Sequence, residues 1–269
     1  MAKLKIRGIE THIDIWNEEA QQTIVALHGF TGSTETWRNL ANAMPNMRVV
    51  AIDLIGHGQT AVPEQMNRFS MLEQLYDLEE IFLQLQLEKF TLLGYSMGGR
   101  IALSYAITHP ARVEKLILES ASPGLRTSKE RLERCERDYM LAEKIAANGV
   151  ESFVSDWENT PLFDSQKRLS AMTREAIRTE RLTQRKSGLV GSLRGIGTGK
   201  QPSNWPFLAR MDLSVLLITG ALDEKFCQIA LEMKALLKNA QHVTVNDVGH
   251  AIHVENPAEF ATIVMENLT

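Results

Sequence analysis

Short apolar and β-branched runs recur along the chain, and most of them stop at a glycine, an acid or a histidine. Residues 23–27 run into His28-Gly29, 48–52 into Asp53, 90–93 into Gly94, 115–118 into Glu119, 215–218 into Thr219-Gly220, and 242–245 into Asn246. Apolar runs without polar alternation suit strands covered on both faces, as in a parallel sheet between helices. Helical spacing predicts helices over about 35–44, 70–87, 97–109, 226–238 and 257–268. Residues 3–7 and 11–16 predict a leading antiparallel hairpin. The expected class is α/β: a mostly parallel sheet with helices on both faces.

This alternation fails between about 122 and 205, a helical and charged stretch bounded by the turn-rich segments Ser122-Pro123-Gly124 and 201–206. We expect a core formed by 1–121 and 206–269, with 122–205 inserted as a helical cap. The insertion holds 15 Lys and Arg against 11 Asp and Glu, a net of +4. The rest of the chain holds 14 against 22, a net of −8. A basic lid over an acidic body suggests a small anionic substrate between them, although most of these charges belong to solvated helix faces.

Composition narrows the classes further. No basic block points to nucleic acid, and no apolar stretch nears the roughly 20 residues of a membrane span. The first residues lack the apolar core of a signal peptide. Cys135 and Cys227 have neither metal spacing nor a disulfide framework, which fits a reducing, cytoplasmic setting. Nothing in the pattern calls for a metal, an organic cofactor or an obligate protein partner.

The chemistry concentrates at Gly94-Tyr95-Ser96-Met97-Gly98. A G-x-S-x-G pentapeptide between a strand and a helix is the pattern of a nucleophile elbow: the turn exposes the serine Oγ at the end of the sheet. Serine needs a base, and the base an orienting acid. Asp223 follows one later strand and His250 the last, so Ser96, Asp223 and His250 stand in the chain order of an α/β-hydrolase triad. The backbone N–H groups of Met97 and Phe30 are the expected oxyanion donors. His253 is a rival base and Asp247 a rival acid, both less suitably placed. His28 and His57 flank glycines in early loops and read as structural hydrogen-bonding residues. Asp53 with His57 lacks a third metal ligand at useful spacing. Cys227 reads as a packing residue.

Together, His28-Gly29-Phe30, 53–58, the elbow, 220–223 and Gly249-His250 resemble the α/β-hydrolase fold over nearly the whole chain. Within it, Tyr95 before the serine and Arg100 four residues after it resemble the 2-succinyl-6-hydroxy-2,4-cyclohexadiene-1-carboxylate synthases of menaquinone biosynthesis. Segments 122–125, 156–157 with 161–163, 223–226 and 253–257 agree. The resemblance implies a carbon–oxygen lyase that eliminates pyruvate and needs no cofactor. It also implies pocket roles for Tyr95, Arg100, Arg134, Trp157 and Arg181, with Arg178 or Arg185 as alternatives to the last. A guanidinium on the first turn after Ser96 is independently suited to grip a carboxylate. The alternative activity is hydrolysis of an ester, thioester or carbon–carbon bond by the same triad.

Overall fold

The computed structural model describes residues 2–268. Its strands are β1 (Ala2–Ile6), β2 (Ile9–Trp16), β3 (Gln22–Leu27), β4 (Met47–Ile52), β5 (Phe90–Tyr95), β6 (Val113–Glu119), β7 (Ser214–Gly220) and β8 (Asn239–Val245). They form one sheet in the order β1-β2-β4-β3-β5-β6-β7-β8. The pairs β1–β2 and β2–β4 are antiparallel, and all later pairs are parallel. The hairpin and strands lie where the hydrophobic pattern puts them.

Uninterrupted apolar runs are needed because the sheet has two covered faces. On β3, Val25 and Leu27 pack into the larger core with α2 (Met71–Gln84) and α3 (Met97–Thr108), while Ile24 and Ala26 point to the opposite core. That second core is completed by α1 (Arg38–Ala43) and α9 (Pro257–Leu268). The helix expected at 35–44 is divided into a 3₁₀ turn, Thr34–Trp37, and α1. Ser33 caps the turn, and Trp37, outside helical geometry at φ −102°, ψ 1°, separates the two.

Between β6 and β7 come α4 (Ser128–Trp157), α5 (Ala171–Leu182) and α6 (Lys186–Ile196), with a 3₁₀ segment at Pro161–Arg168. α4 is interrupted at Gly149, whose φ of 82° is left-handed. Ala142, Ile145, Phe153 and Val154 of α4 meet Leu189 and Leu193 of α6 in a small separate core. The other side of α6 is stripped of side chains. A Cβ on Gly188 would stand 1.8 Å from the Gly56 oxygen, and one on Gly191 or Gly195 would strike Phe69. The helix therefore lies directly on the loop after β4 at Gly56 and on Phe69. α7 (Glu224–Leu236) and α8 (Ile252–Glu255) complete the order. Among the described residues, no helix is long and apolar enough to cross a membrane.

Candidate active site

The carboxyl ends of the parallel strands converge, which is where open α/β sheets build their sites. β5 delivers Ser96 at φ 49°, ψ −105°, a left-handed conformation that L-residues rarely adopt. The turn is that sharp because α3 starts almost against β3: a Cβ on Gly98 would lie 2.2 Å from the Leu27 oxygen. The Ser96 N–H donates to the Glu119 carbonyl at 2.9 Å, which pins the elbow to β6.

Around Ser96 the loops supply a chain of hydrogen bonds. His250 Nε2 lies 3.0 Å from Ser96 Oγ, and His250 Nδ1 lies 2.6 Å from Asp223 Oδ2. The other Asp223 oxygen accepts from Phe226 N–H at 3.3 Å, capping α7. His250 is held from its own loop too: Glu255 accepts from Gly249 N–H at 2.7 Å. Asp247 is exposed and left-handed at φ 61°. His253 is engaged elsewhere, with its backbone N–H and Nδ1 on the buried Glu119 carboxylate at 3.0 and 2.8 Å. Tyr95 stands between the two imidazoles, 5.4 Å from the ring of His250 and 4.6 Å from that of His253. Burial drives its hydroxyl well above the ordinary tyrosine range.

A cleft of about 230 Å³ opens over Ser96, lined among others by Phe30, Tyr95, Met97, Arg100, Arg134 and Trp157. Phe30 follows β3, and its ring packs edge-on to Trp157 at 5.7 Å. The Trp157 indole N–H is buried with no hydrogen-bond partner among the described residues. A larger cavity of about 860 Å³ sits at the opposite, amino-terminal end of the sheet and holds none of these side chains.

The cations are unequally placed. Arg100 is 9 % exposed and donates to Ile196 O at 2.9 Å and Gln201 Oε1 at 3.2 Å. Burial, and then the neighbouring charge of Arg134, pull its pKa down to about 10. Arg134 Nε donates to Asp138 at 2.7 Å, and that carboxylate lines the same cleft. Arg181, 7 % exposed, faces a separate cavity. Its guanidinium lies over the Phe163 ring at 4.6 Å and donates to Gln166 at 3.1 Å. Phe163 lines both cavities, so it stands between Arg181 and the Ser96 cleft. Arg178 pairs with Glu158, and Arg185 donates to backbone oxygens at 57–60.

Phe163 and Lys225 lie in the segments 161–163 and 223–226 that carry the resemblance, and Glu119 ends the 115–118 run, but Asp138 and Gln201 belong to no motif. Asp138 has a local signal, an i,i+4 pair of opposite charge with Arg134. Gln201 meets the site through tertiary approach. His28 and His57 hold loops: His28 Nε2 accepts from Leu54 N–H at 3.0 Å, and His57 Nδ1 bonds Ile55 O at 3.1 Å. Cys227 Sγ touches Thr219 Oγ1 and Gly220 O, both at 3.3 Å. No group of three or more His, Cys, Asp or Glu suited to a metal occurs among the described residues.

The sequence profile of the alpha/beta hydrolase fold family matches residues 22–257. A Bacillus subtilis (strain 168) protein, provisionally named 2-succinyl-6-hydroxy-2,4-cyclohexadiene-1-carboxylate synthase, is 49 % identical over 250 residues, covering 93 % of this chain and 91 % of its own. The synthase of that name from Enterobacter sp. (strain 638) is 32 % identical over 245 residues, covering 91 % of each chain. The solved structure of MenH from S. aureus superposes with a TM-score of 0.91 at 37 % identity, covering 96 % of this chain and 97 % of that one.

Proposed function

The chain belongs to the α/β-hydrolase fold family and, within it, to the 2-succinyl-6-hydroxy-2,4-cyclohexadiene-1-carboxylate synthases, and on that premise we propose that Ser96, His250 and Asp223 carry out its pyruvate elimination. It is a carbon–oxygen lyase of menaquinone biosynthesis. The substrate is 2-succinyl-5-enolpyruvyl-6-hydroxy-3-cyclohexene-1-carboxylate, and the products are the 2,4-diene and pyruvate.

The single observation that carries the roles is the unbroken line from Asp223 Oδ2 through His250 to Ser96 Oγ, at 2.6 and 3.0 Å. His250 takes the Ser96 proton, and Ser96 Oγ takes the ring proton at C2, next to the succinyl carbonyl. Asp223 holds Nδ1–H and stabilises the imidazolium. The C2–H electrons form the C2–C3 double bond, the former C3–C4 pair moves to C4–C5, and the C5–O bond breaks. The departing enolate regains one proton at its methylene carbon and becomes pyruvate. No acyl-enzyme forms.

As the proton leaves, charge builds on the succinyl carbonyl oxygen. The N–H groups of Phe30 and Met97 are our assigned donors for it. One such donor contributes about 3 kcal/mol in comparable sites. Residues 122–205 act as the cap over this cleft. Arg100 and Arg134 hold carboxylates of the substrate, and the unpaired Trp157 N–H is a further donor to it. Arg181 has to move past Phe163 to join them.

The test is pyruvate release from substrate generated by the preceding enzyme in the same tube, run beside cleavage of a nitrophenyl ester. Pyruvate and the diene chromophore should appear together with wild type and not with Ser96→Ala. Ester cleavage without pyruvate would move the chain to the hydrolases.

A further inference from the structure

Besides the contacts of Arg100 with Ile196 and Gln201, of Arg126 with Glu232 and of Asn204 with Ser104, the cap meets the core at a polar seam near the cleft. Three residues at the end of α5 and just beyond it make the contacts. Glu180 Oε1 accepts from Ser33 Oγ at 2.7 Å and Thr36 Oγ1 at 3.0 Å. Gln184, 4 % exposed, uses both ends of its amide: Nε2 donates to Gly32 O at 3.1 Å, and Oε1 accepts from Gly58 N–H at 3.2 Å. Arg185 donates to Gly58 O at 3.2 Å and to Thr60 O. These partners lie in the loops after β3 and β4 and, for Thr36, in the 3₁₀ turn that follows the first loop.

The first of those loops is the one that presents Phe30. Gly32 N–H donates to Gly29 O at 3.1 Å, closing a tight turn around Phe30 and Thr31. Thr31 is β-branched, yet its φ is 72°. Such a residue stays left-handed only where its surroundings over-determine it. From the outside, the turn is gripped at Gly32 O by Gln184 and at Ser33 by Glu180. Both grips come from the cap.

We propose that Gln184, supported by Glu180, is a positioning residue for the oxyanion donor: docking of the cap sets the 29–32 turn, and with it the direction of the Phe30 N–H. The proposal rests on the reading of that N–H as a donor. The cap then does more than cover the substrate. An undocked cap leaves the site without one of its two donors.

Gln184→Glu keeps the acceptor for Gly58 N–H and sets an anion against Gly32 O. Gln184→Ala removes both bonds, and Glu180→Gln weakens the neighbouring grip. For each variant, kcat and KM are measured for pyruvate release and for nitrophenyl ester cleavage. Substrate affinity is measured by calorimetry in a Ser96→Ala background. For the two Gln184 variants we expect kcat to fall roughly tenfold to a hundredfold, below the roughly 10²–10³-fold loss of deleting a donor outright. KM and affinity should stay within about twofold, and the ester should lose rate by a similar factor. Unchanged kcat in both Gln184 variants overturns the proposal. So does a raised KM with kcat intact, which makes Gln184 a residue that shapes the pocket. If one Gln184 variant fails to fold, unchanged kcat in the other overturns the proposal. A wild type that cleaves the ester and releases no pyruvate defeats the lyase reading, while the ester still tests the seam.

Discussion

Glu119 holds His253 twice, through its backbone N–H at 3.0 Å and its Nδ1 at 2.8 Å, and does so with no solvent exposure at all. The Glu119 carbonyl also takes the Ser96 N–H. One residue at the end of β6 thus ties the serine to the segment that carries His250. Glu119→Ala strands a buried imidazole and should cost about 3 kcal/mol or more. Glu119→Gln, whose amide oxygen still accepts, should cost about 1–2 kcal/mol. Displacement of His250 should lower kcat in both by roughly tenfold to a hundredfold. Urea denaturation and steady-state kinetics check the two effects, and undiminished kcat would show that His250 is held without Glu119.

The left-handed backbone at Ser96 separates activity from stability. Glycine adopts φ 49° without penalty, whereas alanine keeps the strain. Ser96→Gly and Ser96→Ala should both lose at least about 10³-fold in kcat. The glycine variant should be more stable than the alanine variant by about 1 kcal/mol. Equal unfolding midpoints would mean that the elbow is relaxed.

Arg100 is assigned to a carboxylate of the substrate. Charge-assisted hydrogen bonds contribute about 1.5–3 kcal/mol, so Arg100→Ala should lower kcat/KM for the lyase reaction roughly 10- to 100-fold. Arg100→Lys should recover little, because a point charge cannot reproduce the forked geometry. A neutral ester should be affected much less. Equal losses on both substrates would trace the defect to the lost contacts with Ile196 and Gln201.

Acid should destabilise the protein through its loop histidines. Burial pulls His28 down to about 3 and His57 to about 4, so both stay neutral when folded and charge when unfolded. Their contribution is complete above the unfolded value near 6.5 and is lost as pH falls toward 4. Asp53, which burial raises to about 6, opposes them between about 6 and 4 because its folded form takes up a proton there. Between these three groups, two protons against one leave a fall on the order of 1 kcal/mol per pH unit across that window. His57→Asn should flatten the fall. The check is the urea unfolding free energy measured from pH 7.5 to 4.5, and an unchanged slope would count against His57 as a source.

Much of this was legible in the chain because its strands are buried on both faces. Each apolar run therefore ends where the sheet meets solvent, and the residues just beyond, Ser96, Asp223 and His250, are those the fold can bring together. The elbow adds its own local grammar of glycines. What could not be read were approaches between distant segments: Glu119 beneath His253, Gln201 against Arg100, Phe163 between Arg181 and the cleft. The helical character of 122–205 says that Arg181 lies on one of its helices. It does not say which of two cavities that side of α5 faces, since this depends on how α5 lies against the 3₁₀ segment before it.

The bare face of α6 has a consequence for how such a molecule can be altered. With Gly188, Gly191 and Gly195 seated on Gly56 and Phe69, this helix is a fixed plinth. Above it, α4 and the 3₁₀ segment that follows supply Arg134, Asp138, Trp157 and Phe163 to the lining of the Ser96 cleft. A canopy of different chemistry could replace residues 128–182 for a new substrate, provided that the plinth keeps its three glycines and the replacement again fills the small core around Leu189 and Leu193.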